Sequence, residues 1–292
     1  MTSLTLTSRS EFLRIRGLRY HLRRWGDKGL PMLFLGHGFL DVSASFEPLV
    51  APLLDRWQVI APDWRGFGHT EWPAEGYWFP DYVADLDAIL EHYSPAAPLR
   101  LAGHSMGSQI MSLYAGLRPA RVDKLVLLDG VSLPDMPSTL APKRYRHWLD
   151  EQREPLRERR YASFDDLAGR IRRQHPQLSE PHSRFVAHCW GREDGRGVIS
   201  LCADPKHYRF GPTLYHAADS EAVWREITAD TLFIDAGKSN VAMPPEQRAA
   251  RLTCFQRHQV ITLPDAGHML HFDAPEATAA LIAAHLAASP AA

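Results

Sequence analysis

Four short, mostly apolar runs set the terms for this chain: Met32 to Leu35, Gln58 to Ala61, Leu99 to Ala102 and Lys124 to Leu128. None is long enough for a helix, and they are followed at once by Gly36, Pro62, Gly103 and Asp129 respectively. Runs of this kind suit strands buried on both faces, the situation inside a parallel sheet covered by helices. The helices are legible as well. Tyr82, Val83, Leu86, Ile89 and Leu90 recur at three- and four-residue spacing within Pro80 to Tyr93, as do Ile110, Met111, Leu113 and Tyr114 within Met106 to Leu117. Two later strands are expected at Thr231 to Asp235 and Gln259 to Leu263, and an Ala-rich helix at Glu276 to Ala288. At the start, Phe12, Leu13, Ile15, Leu18, Tyr20 and Leu22 read as an antiparallel hairpin with one wet face, broken at Gly17. This order predicts an α/β fold, with a mainly parallel, eight-stranded-type sheet flanked by helices.

The periodic pattern stops between Leu133 and about Ile227, where arginines and aromatics, Trp190, Tyr208 and Phe210 among them, replace it. That stretch predicts an inserted helical lid over residues 133–227, with residues 1–132 and 228–292 forming the core domain. Lys143 to Arg173 holds ten basic residues against six acidic ones, a mixed pattern that suits the solvated face of lid helices. Over the whole chain 33 Lys and Arg meet 34 Asp and Glu, so no global basic field invites nucleic acid or an anionic membrane. The three cysteines, Cys189, Cys202 and Cys254, are an odd number without a C-x-x-C pair, which argues against a disulfide framework and a thiolate zinc site. With no basic-then-apolar leader over Met1 to Ser10 and no apolar run of spanning length, a cytoplasmic protein is expected.

The chemistry gathers at turns. Gly103-His104-Ser105-Met106-Gly107 fits G-x-S-x-G, with a buried strand directly before it and a helix directly after, the context the motif requires. A serine on such a tight turn presents its hydroxyl beside a helix N-terminus, where negative charge is favoured. His268 lies in the loop between the last strand and the last helix, at the same carboxyl edge of the sheet, and an imidazole there can serve as the general base that a hydroxyl nucleophile needs. His37-Gly38-Phe39 follows the strand at Met32 and could aim the Phe39 N–H at the same point as the Met106 N–H, a donor pair suited to an oxyanion.

Taken with Pro62-Asp63-Trp64-Arg65-Gly66-Phe67-Gly68-His69-Thr70 and the Gly267-His268 loop, these stretches resemble the α/β-hydrolase superfamily in order and over nearly the whole chain. Gly36 to Phe46 and Leu127-Leu128-Asp129-Gly130 look like its serine hydrolase-like group. The resemblance makes the loop of Asp63 and Arg65 architectural. It also leads one to expect an acid after the strand Thr231 to Asp235, yet that loop reads Gly237-Lys238-Ser239-Asn240. Some members of the family carry the acid one strand earlier, which points to Asp129, with Asp235 as second choice and no acid as third. Asp265 is too close in sequence to His268 to serve, and Asn240 could at most orient the ring.

The sequence therefore predicts a cofactor-independent serine hydrolase acting on a small carboxylic ester or related acyl compound, with Ser105, His268 and Asp129 catalytic and Phe39 and Met106 forming the oxyanion hole. The serine argues against the dehalogenase and epoxide hydrolase members, which the resemblance associates with aspartate at this position. Acyl transfer, carbon–carbon bond hydrolysis, or a hydrolase-fold receptor with little turnover are the alternatives. No metal is expected, because His268 and His271 at i, i+3 lack an accompanying H-E-x-x-H or carboxylate pattern. Nucleic-acid and membrane partners are not expected either, and oligomeric state is not legible.

Overall fold

The computed structural model describes residues 6–209, 211–241 and 243–288. Phe210 of the expected lid and the first five residues fall outside these. The strands are β1 (Arg9–Ile15), β2 (Leu18–Trp25), β3 (Met32–Gly36), β4 (Gln58–Pro62), β5 (Leu99–His104), β6 (Val122–Leu128), β7 (Arg160–Tyr161), β8 (Gly191–Glu193), β9 (Ile199–Leu201), β10 (Asp230–Ala236) and β11 (His258–Leu263). The helices are α1 (Glu47–Val50), α2 (Pro80–Tyr93), α3 (Met106–Leu117), α4 (Ala141–Glu151), α5 (Phe164–Gln174), α6 (Glu180–Trp190), α7 (Ala217–Trp224), α8 (Pro245–Leu252), α9 (Leu270–Asp273) and α10 (Pro275–Ala287).

Eight strands form one sheet in the order β1-β2-β4-β3-β5-β6-β10-β11, so the α/β architecture read from the sequence is the one observed. The hairpin β1–β2 and the pair β2–β4 are antiparallel, and every other pair in the sheet is parallel. Gly17 makes the hairpin turn at φ +89°, a conformation that costs a residue without Cβ little. Phe12, read as part of the apolar face, points outward with the Arg19 guanidinium 4.3 Å above its ring.

Both faces of the sheet are covered. Tyr82, Leu86 and Ile89 of α2 and Ile110, Met111 and Tyr114 of α3 pack on one face with Phe34, Leu101 and Leu127. Leu49 and Val50 of α1 and Ala279, Ile282 and Leu286 of α10 pack on the other with Leu33, Leu35, Val126 and Ile234. The central strands are accordingly buried from both sides, whereas β11, at the sheet's edge, is largely exposed.

Residues 133–227 are not purely helical. Besides α4 to α7 they form a small antiparallel sheet, β7-β9-β8. Its strands are two or three residues long, too short for an alternation to register in sequence. Leu167, Ile171, Val186 and Ile199 make a separate apolar cluster that also takes in Met269 and Phe272, one and four residues after His268. By contrast α7 lies against α3, where Trp224 Nε1 donates to Ser112 Oγ at 2.9 Å and Gln109 Nε2 to Ser220 Oγ at 3.0 Å. Among the described residues no helix is long and apolar enough to cross a membrane, and the three cysteines are free thiols.

Candidate active site

Parallel strands all point their carboxyl ends one way, so the loops after β3, β5, β6, β10 and β11 share one edge. Backbone strain collects there. Of the five described non-glycine residues with positive φ, four belong to this edge: Leu40 at +60°, Ser105 at +50°, Asp129 at +42° and Val131 at +56°. Each such conformation costs on the order of 1–3 kcal/mol and persists only where its surroundings enforce it.

For Ser105 the surroundings are the two glycines of its motif. A Cβ on Gly107 would lie 2.2 Å from the Gly36 carbonyl oxygen, and one on Gly103 would lie 2.4 Å from that of Gly107. Without side chains at these positions, the start of α3 presses onto β3 and β5. The turn is pinned further by the Ser105 N–H, which donates to Leu128 O at 3.0 Å. The hydroxyl is left half-exposed at the helix N-terminus.

His268 enters from the loop between β11 and α9. Its Nε2 lies 3.0 Å from Ser105 Oγ and its Nδ1 2.6 Å from Asp129 Oδ2. A carboxylate can only accept, so Nδ1 carries the proton and Nε2 turns its lone pair to the serine hydroxyl. Asp129 continues β6 by one residue, with its N–H bonded to Ile234 O of β10. Its carboxylate accepts two further hydrogen bonds, from the Ala236 N–H at 3.1 Å and the Ser239 hydroxyl at 2.5 Å.

The other acid candidates are engaged elsewhere. Asp235 is bound by the Arg248 guanidinium at 2.6 Å, and burial, reinforced by the neighbouring Asp129 charge, raises its carboxyl above the usual range against the arginine's pull. Asp265 pairs with Lys238, and Asn240 is exposed. Ser239, which the sequence reading passed over, is the residue of that loop that reaches the carboxylate.

The backbone of Gly38 runs against the serine: a Cβ there would meet Ser105 Cβ at 3.2 Å and His104 Nδ1 at 2.8 Å. Phe39 follows directly, with its ring exposed and edge-on to Phe67 and His207 at 6.0 Å. Met106 is the first residue of α3, a position whose N–H has no acceptor within the helix. The loop of Asp63 and Arg65 is built as a brace. Asp63 accepts from His21 Nδ1, Ser43 N and His69 N, and His21 first, then His37 and the His69 N–H, hold its carboxyl far below the ordinary range although burial opposes ionisation. Arg65 makes a two-point bond to buried Asp85, at 2.7 Å on each oxygen.

One group of metal-capable side chains comes together among the described residues. Asp41, His104 and His271 are all buried, with their ligand atoms within 4.8 Å of one another. These groups are already engaged with protein: His271 Nε2 bonds Asp41 Oδ2 at 3.1 Å, and His104 Nε2 donates to the His268 carbonyl at 2.8 Å. Burial, with His271 and His268 adding to it, keeps His104 neutral well below its ordinary range. The sequence offered only the spacing of His268 and His271, because the partners lie far apart in the chain.

A family model described as alpha/beta hydrolase fold matches residues 31–275. The chain belongs to this family. Among curated hydrolases, it is 30% identical over 183 residues to a serine hydrolase-like protein of Danio rerio, a match covering 60% of this chain and 56% of that one. The chain thus spans little more than half the length of that relative. It is 28% identical over 261 residues to haloalkane dehalogenase 2 of Mycobacterium bovis, covering 86% of each. Among solved structures, a thioesterase domain from the curacin biosynthetic pathway superposes with TM-score 0.85 at 24% identity, over 95% of this chain and 99% of that one. E-2-(acetamidomethylene)succinate hydrolase gives 0.77 at 21%, over 97% and 100%. At such identities these two similarities establish the fold alone.

Proposed function

We propose that this α/β-hydrolase is a serine hydrolase that cleaves a carboxylic ester or related acyl compound. The observation that carries the reading is the unbroken line of hydrogen bonds from Ser105 Oγ through both nitrogens of His268 to Asp129. Ser105 Oγ attacks the acyl carbon while His268 Nε2 takes its proton, and the Asp129 carboxylate stabilises the imidazolium. The N–H groups of Phe39 and Met106 receive the oxyanion. His268 then returns the proton to the departing alcohol or thiol, and water, activated by the same imidazole, releases the acid and restores Ser105.

A serine also fits acyl transfer better than the dehalogenation named for the Mycobacterium relative. Displacing a halide from carbon with a serine oxygen would leave an alkyl ether on the enzyme, and water does not cleave an ether as it cleaves an ester. The residues 133–227 expected as a lid act as one as far as β9 and the turn after it, with α7 serving as part of the core.

A fluorophosphonate probe and short p-nitrophenyl esters test the reading. Wild type is expected to be labelled once and to turn the esters over, and Ser105→Ala to lose both. A folded wild type that takes no label, or an alanine variant labelled as strongly, would overturn it.

A further inference from the structure

Asp41 sits where three parts of the molecule meet. It closes the turn after Gly38, with its N–H on Gly38 O at 3.3 Å, so it belongs to the loop that carries Phe39. Its Oδ2 faces His271 Nε2 at 3.1 Å, and His271 lies three residues past His268. Its Oδ1 accepts the Val42 N–H at 2.8 Å and the indole Nε1–H of Trp190 at 2.6 Å. Trp190 ends α6 and packs against the separate apolar cluster, with its ring near Phe272 and His175. Asp41 and His271 are wholly buried, and His104 is 1% exposed.

His104 completes the array. Its ring centroid lies 4.6 Å from that of His271 and 4.8 Å from that of His268, and its Nε2–H holds the His268 carbonyl. Its Nδ1 has no hydrogen-bond partner among the described residues and abuts the backbone of Gly38. His271 Nε2 and His104 Nε2 are already engaged by Asp41 and the His268 carbonyl, so the array reads as a brace of rings and one carboxylate. Burying that carboxylate is costly unless its hydrogen bonds are satisfied. Three donors engage it: the Val42 N–H of its own loop, the Trp190 indole of α6 and His271 of α9, the last two tying other segments to this loop.

We propose that Asp41 is a positioning residue: through Trp190 on one side and His271 on the other, it locks the seating of the α6 segment to the placement of the Phe39 loop and of His268. The proposal rests on the serine hydrolase reading. Its consequence is that Trp190, whose indole N–H bonds Asp41 and none of Ser105, His268 or Asp129, sets turnover on a substrate too small to need the lid.

The test uses p-nitrophenyl acetate with fluorophosphonate titration of active sites, so that kcat is counted per competent serine, alongside Tm. Asp41→Ala is expected to lower kcat per titrated site about 10- to 100-fold with KM within about twofold, the scale of a misplaced reacting geometry. Asp41→Asn keeps an oxygen for Val42 and Trp190 and is expected to restore most of that loss. Trp190→Phe keeps the aromatic packing, removes only the N–H, and is expected to lower kcat per site severalfold. A role confined to stability would lower Tm and the titrated fraction while leaving kcat per site untouched. That result in Trp190→Phe, or in an Asp41→Ala that folds, overturns the proposal, and Trp190→Phe alone decides if Asp41→Ala fails to fold. A wild type that neither labels nor turns over would instead defeat the hydrolase reading, and this proposal with it.

Discussion

Replacing Asp129 by asparagine tests the proposed chemistry at its most exposed point. The carboxylate accepts on both oxygens: the Ala236 N–H on Oδ1, and His268 Nδ1–H with the Ser239 hydroxyl on Oδ2. Asparagine must turn its NH2 to one side. Facing Ala236 it would set donor against donor, and the backbone N–H cannot be reversed. Facing His268 it asks Ser239 to rotate its hydroxyl and the imidazole to move its proton from Nδ1 to Nε2, which both groups can do. The second arrangement is expected, and it is ruinous for catalysis, because Nε2 then donates to Ser105 instead of accepting its proton. The loss is about 10⁴ in kcat, or about 5.4 kcal/mol of transition-state stabilisation. Tm should fall only slightly, since every hydrogen bond survives in rearranged form. The assay is ester turnover per titrated active site for Asp129→Asn beside Asp235→Asn, whose acid is held by Arg248. Asp129→Asn within about tenfold of wild type, with Asp235→Asn collapsing, would refute both the assignment and the tautomer argument.

Three further outcomes follow from particular contacts. Ser239→Ala removes one hydrogen bond to the proposed triad carboxylate, worth about 1.5–3 kcal/mol for a charged acceptor, and should lower kcat about 10- to 100-fold with little change in KM; an unchanged kcat would mean the hydroxyl is a bystander. Gly38→Ala drives a methyl to 2.8 Å from His104 Nδ1 and 3.2 Å from Ser105 Cβ, so steady-state turnover should fall about 100-fold while circular dichroism stays native. His207 stacks between Phe67 and Tyr77, at 4.0 and 3.6 Å, and burial lowers its pKa from 6.5 to about 4. The unfolded chain therefore binds this proton first: its stabilising contribution is whole above pH 6.5, declines as pH falls toward 4 and is then gone, about 3 kcal/mol at most. Thermal melts across that window should show the decline in wild type and lose that part of it in His207→Phe.

What the sequence made legible follows from how local the physics is. The helices Pro80–Tyr93 and Met106–Leu117 were readable to the residue, because a proline or a glycine-flanked turn opens each one and an apolar stripe runs its length. The central parallel strands were readable because burial on both faces makes their runs mostly apolar, Gln58 and Lys124 being buried exceptions. The strands β7 to β9 were not, since two or three residues cannot show a period. Ser105 and His268 announced themselves through glycines needed at close approach. Asp41 did not: its partners Trp190 and His271 stand 149 and 230 residues away, and no spacing encodes such a meeting.

The proposed acid, Asp129, shows how a fold can hold one geometry with residues from a different strand. The family resemblance leads one to expect a carboxylate in the loop after β10, where Gly237-Lys238-Ser239-Asn240 has none. In the parallel register Leu128 of β6 stands opposite Ile234 of β10, so the next residue, Asp129, arrives beside Asp235 and Ala236. Its backbone at φ +42° swings the side chain across to that loop, where the Ala236 N–H and the Ser239 hydroxyl receive it. The loop after β10 therefore holds the proposed acid in place by donating hydrogen bonds to it. On the proposed reading two adjacent strand ends share one task, and the positive φ of Asp129 accompanies a charge carried one strand over. On the proposed reading a loop that holds no acid still positions one, which places Ser239, unremarked in the sequence, next to the proposed chemistry.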